Sequence, residues 1–328
     1  MKRCEISVVV PVYGCAGCLA TLYERLCRTL DDVADWEVVF VDDSSPDGAW
    51  EHLEELASRD QRVRALRLSR NFGQHAAITA GLAEAHGDWV TVMDCDLQDP
   101  PEEIPRLLVI AKDGHDVVLT QRDQRRQAWH RRVGARLYFR ARNVLLGQSM
   151  NTEYSTLSVI SRSVVDAFLS LGDRDRQYML ILHWLGFRRT VISLAHEERH
   201  EGRSAYTLAK LVEVALDGMF FQTTRLLRWI VYVGFAIALA GVVLAAVFVG
   251  LYFTSSALPG FTSLAVLLLL VGGFIIVSTG IAGLYVGKIF EQVKGRPLYV
   301  IERRAPGDQA SVDRSLELAA PATPARTR

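Results

Sequence analysis

The sequence predicts an α/β domain on a largely parallel sheet, followed by a two-helix transmembrane hairpin. Two observations carry this. Residues 1 to about 120 alternate short β-branched apolar runs with helical segments, and from Trp229 to Gly287 there is no Asp, Glu, Lys, Arg or His. Composition agrees: of 328 residues 50% are hydrophobic and 23% charged, enough apolar surface for a sizeable core. The 37 basic residues balance 37 acidic ones, which excludes a strongly charged disordered chain and gives no global reason to expect nucleic acid as a partner.

The strands expected in order are Ile6 to Val10, Glu37 to Val41, Val63 to Leu68, Trp89 to Met93 and Val117 to Thr120. The N-terminus is too short and too strand-like for a cleaved signal and reads as the first strand. Ligands of such sheets sit beyond the carboxyl ends of the strands, and polar clusters fall there. These are Pro11-Val-Tyr13, Asp42-Asp43-Ser-Ser-Pro-Asp47, Ser69-Arg-Asn-Phe-Gly73 and Asp94-Cys-Asp96-Leu-Gln98-Asp-Pro-Pro101.

Five cysteines, Cys4, Cys15, Cys18, Cys27 and Cys95, are odd in number and read as reduced cytosolic thiols. Cys15 and Cys18 form a lone Cys-x-x-Cys, the form of half a zinc site or of a redox pair, but no second pair or suitably spaced histidine accompanies it. Between Arg122 and Arg142 the chain is strongly basic, and Arg132, Arg136 and Arg140 repeat at helical spacing. This fits either an amphipathic helix on an anionic membrane surface or a solvated basic helix packed on the domain.

The uncharged stretch is too long for one crossing of about 20 residues. It divides at Thr254-Ser-Ser-Ala-Leu-Pro-Gly260 into spans near 229–253 and 264–287. Arg225 and Arg228 precede it, and Lys288, Lys294 and Arg296 follow. The positive-inside rule then puts both termini and the α/β domain on the cytoplasmic side of an inner membrane. Residues 1–206 are expected to form the catalytic domain, 207–228 a juxtamembrane amphipathic helix, 288–304 a return segment and 305–328 a disordered tail.

Asp94 and Asp96 follow an apolar strand and can reach one divalent ion, with Gln98 adding a neutral oxygen; such ligands favour Mg²⁺ or Mn²⁺ over zinc. A lone Asp-x-Asp can equally cap the next helix, and Asp99-Pro-Pro-Glu-Glu is a good helix start.

Taken with Val8-Val-Val-Pro-Val-Tyr13, Val41-Asp-Asp-Ser-Ser-Pro-Asp47, Ser69-Arg-Asn-Phe-Gly-Gln-His75 and Val293-Lys-Gly-Arg-Pro-Leu-Tyr299, these motifs resemble the polyprenyl-phosphate glycosyltransferases over nearly the whole chain. The nearest resemblance is to the bacterial undecaprenyl-phosphate glucosyl and formamido-arabinose types, with the dolichyl-phosphate mannose synthases more distant. The resemblance implies a GT-A (Rossmann-like) domain of family 2 type that uses a nucleotide-diphospho-sugar, expected to be a UDP-sugar, and inverts the anomeric centre. It implies a polyprenyl phosphate acceptor, contact with membrane lipids and a homo-oligomer, in the family often a tetramer. By position, Pro11, Tyr13, Asp42 and Asp43 would surround the nucleoside, and Arg70 and Gln74 would lie near the donor phosphates or sugar.

The family's Arg followed by Gly-x-Ser-Lys-Tyr, which holds the phosphates, reads here Arg199-His-Glu-Gly202-Arg203-Ser204-Ala205-Tyr206. Its lysine is Ala205, and Arg203 is expected to restore the lost cation, because guanidinium binds phosphate well. Glu153 and Asp96 are the base candidates, although a lipid monophosphate is already ionised and hardly needs one. Other departures are Gly14-Cys15 for the family's Asn-Glu and Gly283-Leu284-Tyr285 for its Gly-Glu-Tyr. Two other readings compete. A processive polysaccharide synthase would carry Gln-x-x-Arg-Trp, which Arg225-Leu-Leu-Arg228-Trp229 only approximates, and a degenerate membrane scaffold would bind no donor.

Overall fold

Strand β1 (Ile6–Val12) is buried along its whole length, because it pairs in parallel with β2 (Trp36–Asp42) on one side and β4 (Trp89–Val92) on the other. Its side chains alternate between two cores. Ile6, Val8, Val10 and Val12 face one, with helices α1 (Leu19–Leu30), α2 (Ala49–Arg59) and α4 (Ile104–Lys112), while Val9 faces the other, with α3 (Gln74–Glu84). Leu19, Leu22, Leu26 and Leu30 recur at helical spacing along the buried stripe of α1. Gly81 lets α3 close onto the sheet, since a Cβ there would fall 2.3 Å from Val9 Cγ1. The computed structural model describes residues 4–122, 154–174, 176–194, 230–237, 239–241, 243, 246–247 and 261–306.

The remaining strands are β3 (Val63–Leu68), β5 (Val117–Arg122), β6 (Tyr154–Ser161), β7 (Arg189–Leu194) and β8 (Ile301–Ala305). All eight form one sheet in the order β7-β5-β6-β4-β1-β2-β3-β8. The five expected strands are present. The sheet is largely parallel, as expected, but mixed: β6 runs antiparallel between β4 and β5, and β8 runs antiparallel to β3. A parallel continuation would have needed a further crossover after β5; instead β6 enters in the opposite sense and packs α5 (Arg162–Ser170) and α6 (Tyr178–Trp184) on the face that α3 covers.

The chain divides into two units, one of Met1–Arg126, Thr152–Arg203 and Gly295–Arg328 and the other of Gln127–Asn151 and Ser204–Lys294. The sheet belongs to the first, and β8 lies within it, so residues 301–305 are strand where a return segment and the start of a tail were expected. In the second unit, an apolar helix α7 (Ile230–Gly241) precedes α8 (Phe261–Val293). Over Val271–Val293, α8 is long and apolar enough to cross a membrane, with mean hydropathy 1.6, and among the described residues it is the one helix that is. It continues past Gly287, where the second span was expected to end, through Lys288 and Glu291. The expected basic helix after Arg122, the helix from Thr207 to Leu227 and the turn at 254–260 lie outside the described residues.

Candidate active site

Strands β1, β2, β3 and β4 end at one edge of the sheet, and the polar loops that follow them are tied to one another. Ser45, after β2, receives the Gly14 amide on its Oγ at 2.8 Å, and Asp47 Oδ2 receives the Ala16 amide at 2.8 Å, which fixes the loop after β1. Burial alone would raise the Asp47 carboxyl, but the Ser45 hydroxyl and the amides of Ala16 and Ala49 overcome it and hold its pKa below the usual range. Asp43, only 3% exposed, accepts the amides of Phe72 at 2.7 Å and Gly73 at 2.8 Å, one on each oxygen, and so joins the loop after β2 to that after β3. Gly73 has φ +96°, a backbone conformation that suits glycine, and it opens α3.

Asp42 is fully buried. Its Oδ1 accepts the Ser45 amide at 2.8 Å, whereas Oδ2 has no hydrogen-bond donor and lies 3.6 Å from Arg67 Nε. Arg67 also sits 3.8 Å from Glu302 of β8, so the last strand of the sheet reaches the cation behind Asp42. Burial raises the pKa of both Asp42 and Asp43, and the backbone donors, with Arg67 beside Asp42 and Arg70 beside Asp43, only partly offset it.

The segment after β4 presents oxygen on one side. Asp94, Asp96 and Gln98 are partly exposed, while Cys95, Leu97 and Asp99 between them are 7%, 4% and 3% exposed. Asp94 is gripped from two sides: Gln74 Nε2 donates to Oδ1 at 2.7 Å and Thr156 Oγ1 to Oδ2 at 2.9 Å. One residue earlier on β6, the Ser155 hydroxyl meets Asp99 at 2.6 Å, and both residues are buried. Ser158 Oγ in turn donates to the Thr156 carbonyl at 3.1 Å and lies 2.9 Å from the buried Tyr178 hydroxyl. Among the described residues only Ser44 and Leu97 are non-glycine with positive φ, 57° and 61°, and both stand in these loops. Uncommon backbone of this kind persists where surrounding contacts over-determine it.

Of the residues expected from sequence, Pro11, Asp42 and Asp43 come together in the buried floor, and Tyr13, 54% exposed, stands at the surface. Arg70 and Gln74 are exposed; Gln74 reaches Asp94, and the Arg70 guanidinium lies 4.1 Å over the Phe72 ring. His75, the next residue, is exposed, and its Nδ1 faces the Tyr178 amide at 3.5 Å. Glu153, Arg199, Arg203, Ser204 and Tyr206 lie outside the described residues. Sequence reasoning missed Thr156 and Ser155, whose signal is the set of hydroxyls Ser155, Thr156 and Ser158 within the strand-like run Tyr154–Ser161. It also misread the cysteines. Cys15 and Cys95 form a disulfide with Cα atoms 6.5 Å apart, because β1 and β4 are adjacent and their carboxyl ends lie side by side.

A divalent cation fits this donor set. Two carboxylates and an amide oxygen suit a hard ion such as Mg²⁺ or Mn²⁺, whose shell is normally completed by water and substrate phosphate. Among the described residues no group of three or more His, Cys, Asp or Glu is placed to hold a metal ion by itself.

Residues 7–169 match the model of glycosyl transferase family 2. Over 307 residues the chain is 36% identical to an undecaprenyl-phosphate 4-deoxy-4-formamido-L-arabinose transferase of Proteus mirabilis, covering 91% of this chain and 93% of that one. It is 31% identical to the uncharacterized glycosyltransferase YkcC of Bacillus subtilis over 307 residues, 92% of this chain and 94% of the other. Among solved structures, a glucosyl-3-phosphoglycerate synthase from Mycobacterium tuberculosis in complex with Mn²⁺, uridine diphosphate and glucosyl-3-phosphoglycerate is similar at TM-score 0.46 and 19% identity, covering 66% of this chain and 78% of that one.

Proposed function

The chain belongs to the family 2 glycosyltransferases, with a GT-A fold on a mixed α/β sheet, and we propose that it transfers a sugar from a nucleotide-diphospho-sugar to undecaprenyl phosphate. The observation that carries the donor half is the outward row of Asp94, Asp96 and Gln98 at the same sheet edge as the buried Asp42 and Asp43. The acceptor half is supported by the name of the Proteus relative, matched over almost the whole of both chains.

In this reading Asp42 and Asp43 form the buried floor under the nucleoside, and Tyr13 lies against it. Asp94, Asp96 and Gln98 hold Mg²⁺ or Mn²⁺, which when bound offsets the charge that develops on the leaving diphosphate. Arg70 and Gln74 border the donor's phosphates or sugar. Arg199, Arg203, Ser204 and Tyr206 hold phosphate, with Arg203 replacing the cation that Ala205 lacks. The acceptor phosphate, ionised at neutral pH, attacks the anomeric carbon opposite the diphosphate, so the configuration inverts. Glu153 and Asp96 are the residues to test as base, but the acceptor has little proton to lose.

The same reading includes a membrane hairpin of α7 and α8, with the catalytic domain and both termini on the cytoplasmic side. It is supported by the uncharged stretch from Trp229 to Gly287 and by the approach of the two helices, a Cβ at Gly234 falling 3.3 Å from the Phe274 ring.

The test is a transfer assay on the full chain in detergent, with undecaprenyl phosphate, Mn²⁺ or Mg²⁺ and a panel of labelled UDP- and GDP-sugars. Label entering the organic phase as a lipid monophosphate sugar, lost with chelator, is the expected result and names the donor. Donor binding without lipid product would sink the acceptor assignment.

A further inference from the structure

The loops after β1, β2, β3 and β4 at the carboxyl edge of the sheet are joined to one another, and one joint differs in kind from the rest. The loops after β1 and β2 are held by Ser45 and Asp47, those after β2 and β3 by Asp43, and those after β3 and β4 by Gln74 on Asp94. The loops after β1 and β4 are held by the covalent bond from Cys15 to Cys95, which spans 80 residues of sequence. Cys95 stands between Asp94 and Asp96, and its side chain is buried while theirs are partly exposed. Cys15 follows Gly14, whose φ of +71° and amide bond to Ser45 define the end of β1.

We infer that Cys15 and Cys95 are positioning residues for the donor site: their disulfide pins the inward side of the Asp-x-Asp segment and so sets the two carboxylates, and its reduction weakens nucleotide binding. This rests on the donor site proposed above. Reduction removes the covalent tie between the chain at Cys15 and the chain at Cys95. Thr156 and Gln74 hold Asp94 from the other side, and reduction releases the inward tie at Cys95, between the two carboxylates.

The chemistry is thiol–disulfide exchange. A small dithiol such as dithiothreitol attacks one sulfur, the S–S bond breaks, Cys15 and Cys95 each gain a hydrogen, and the dithiol leaves as its own cyclic disulfide. In reverse, a low-molecular-weight disulfide such as glutathione disulfide accepts the two electrons. Both cysteines are below 9% exposed, so exchange waits on local opening of these loops.

The test uses the full chain in detergent, oxidised with glutathione disulfide or reduced with dithiothreitol and then freed of reagent. Alkylation and peptide mapping report the state of residues 15 and 95, calorimetry reports the Kd for UDP and GDP with Mn²⁺, and hydrogen exchange reports segment 93–98. The expected result is an oxidised form with Cys15 and Cys95 linked, a nucleotide Kd weaker on the order of tenfold after reduction, and faster exchange in 93–98. The double variant Cys15→Ser, Cys95→Ser should match the reduced wild type and ignore reductant, although Cys4, Cys18 and Cys27 remain. Free thiols at 15 and 95 in the oxidised sample, or mapped reduction with unchanged Kd and unchanged exchange, would overturn the inference. If neither form binds nucleotide, the donor-site reading fails, and the exchange of 93–98 alone then decides whether the link positions the segment.

Discussion

Thr156 on β6 donates its hydroxyl to Asp94 Oδ2 at 2.9 Å, on the opposite side of that carboxylate from Gln74. An antiparallel strand thereby fixes a residue at the end of its parallel-paired neighbour β4. With both oxygens engaged, Asp94 has a set orientation before any ligand arrives, the condition for electrostatic pre-organisation. Replacing Thr156 with Val removes the donor and keeps the shape. We expect kcat/KM for the nucleotide-sugar to fall roughly tenfold or more, with an unchanged Tm and with Thr156→Ser restoring most of the loss. Equal activity of Thr156→Val and wild type in the transfer assay would show that Asp94 is held well enough without the Thr156 hydroxyl.

Asp96 is placed differently. Its Oδ1 accepts the Gln98 amide at 3.1 Å, and its side chain is partly exposed on the outward row. If it binds the cation, Asp96→Asn leaves the fold intact while kcat falls on the order of 10²–10³-fold, and Mn²⁺ no longer tightens UDP binding by calorimetry. Retained metal-dependent binding in the variant would move the cation elsewhere.

Much of this was legible beforehand, and what was missed has a common cause. β1 to β5 announce themselves because strands buried on both faces need continuous apolar runs, and Val8-Val-Val or Val38-Val-Phe40 can be little else. β6 carries Ser155, Thr156 and Ser158, whose hydroxyls serve Asp99, Asp94 and Tyr178, so its function diluted its apolar signal. β8 reads Ile-Glu-Arg-Arg-Ala because it is an edge strand whose charges meet Arg67 and Glu84. The Asp-x-Asp motif was visible, but the inward anchoring of Cys95 by Cys15 was not. It depends on β1 lying next to β4, which no local pattern reveals.

Asp43 offers a stability test. It is nearly buried and takes one amide on each carboxylate oxygen. Asn has a single acceptor oxygen, so Asp43→Asn turns one of the Phe72 or Gly73 amides toward an NH₂ group. The cost should be about 1–3 kcal/mol, seen as a lower midpoint in thermal or denaturant unfolding. An unchanged midpoint would mean that the loop after β3 finds other acceptors.

Gly81 sets two effects against each other. Ala in a helix interior gains about 1 kcal/mol over Gly, but the added methyl would lie 2.3 Å from Val9 Cγ1 and 3.2 Å from Val41 Cγ2, both in fully buried side chains. Over-packing costs about 1–3 kcal/mol and here displaces α3, whose first residue is Gln74. Gly81→Ala should therefore lower the unfolding midpoint and weaken donor binding together. A more stable variant would show that α3 can move outward without cost.

Asp42 makes the sign of a pH effect testable. Its Oδ2 is buried without a donor, and burial raises its pKa above the ordinary carboxylate value. A raised pKa means that the folded state holds the proton more tightly than the unfolded chain, so ionising Asp42 costs stability. The cost is absent below the unfolded value of about 3.9 and grows as pH rises through the higher folded value. Asp42→Asn keeps the acceptor for the Ser45 amide and carries no charge, so its stability relative to wild type should climb between pH 4 and neutrality. Asp43→Asn loses a hydrogen bond at every pH. A group retained at such a cost is expected to serve the ligand, and the more stable Asp42→Asn should bind UDP more weakly. Unfolding midpoints across pH, paired with UDP titration, separate the two effects: a flat stability difference would refute the electrostatic reading, and undiminished UDP affinity the functional one.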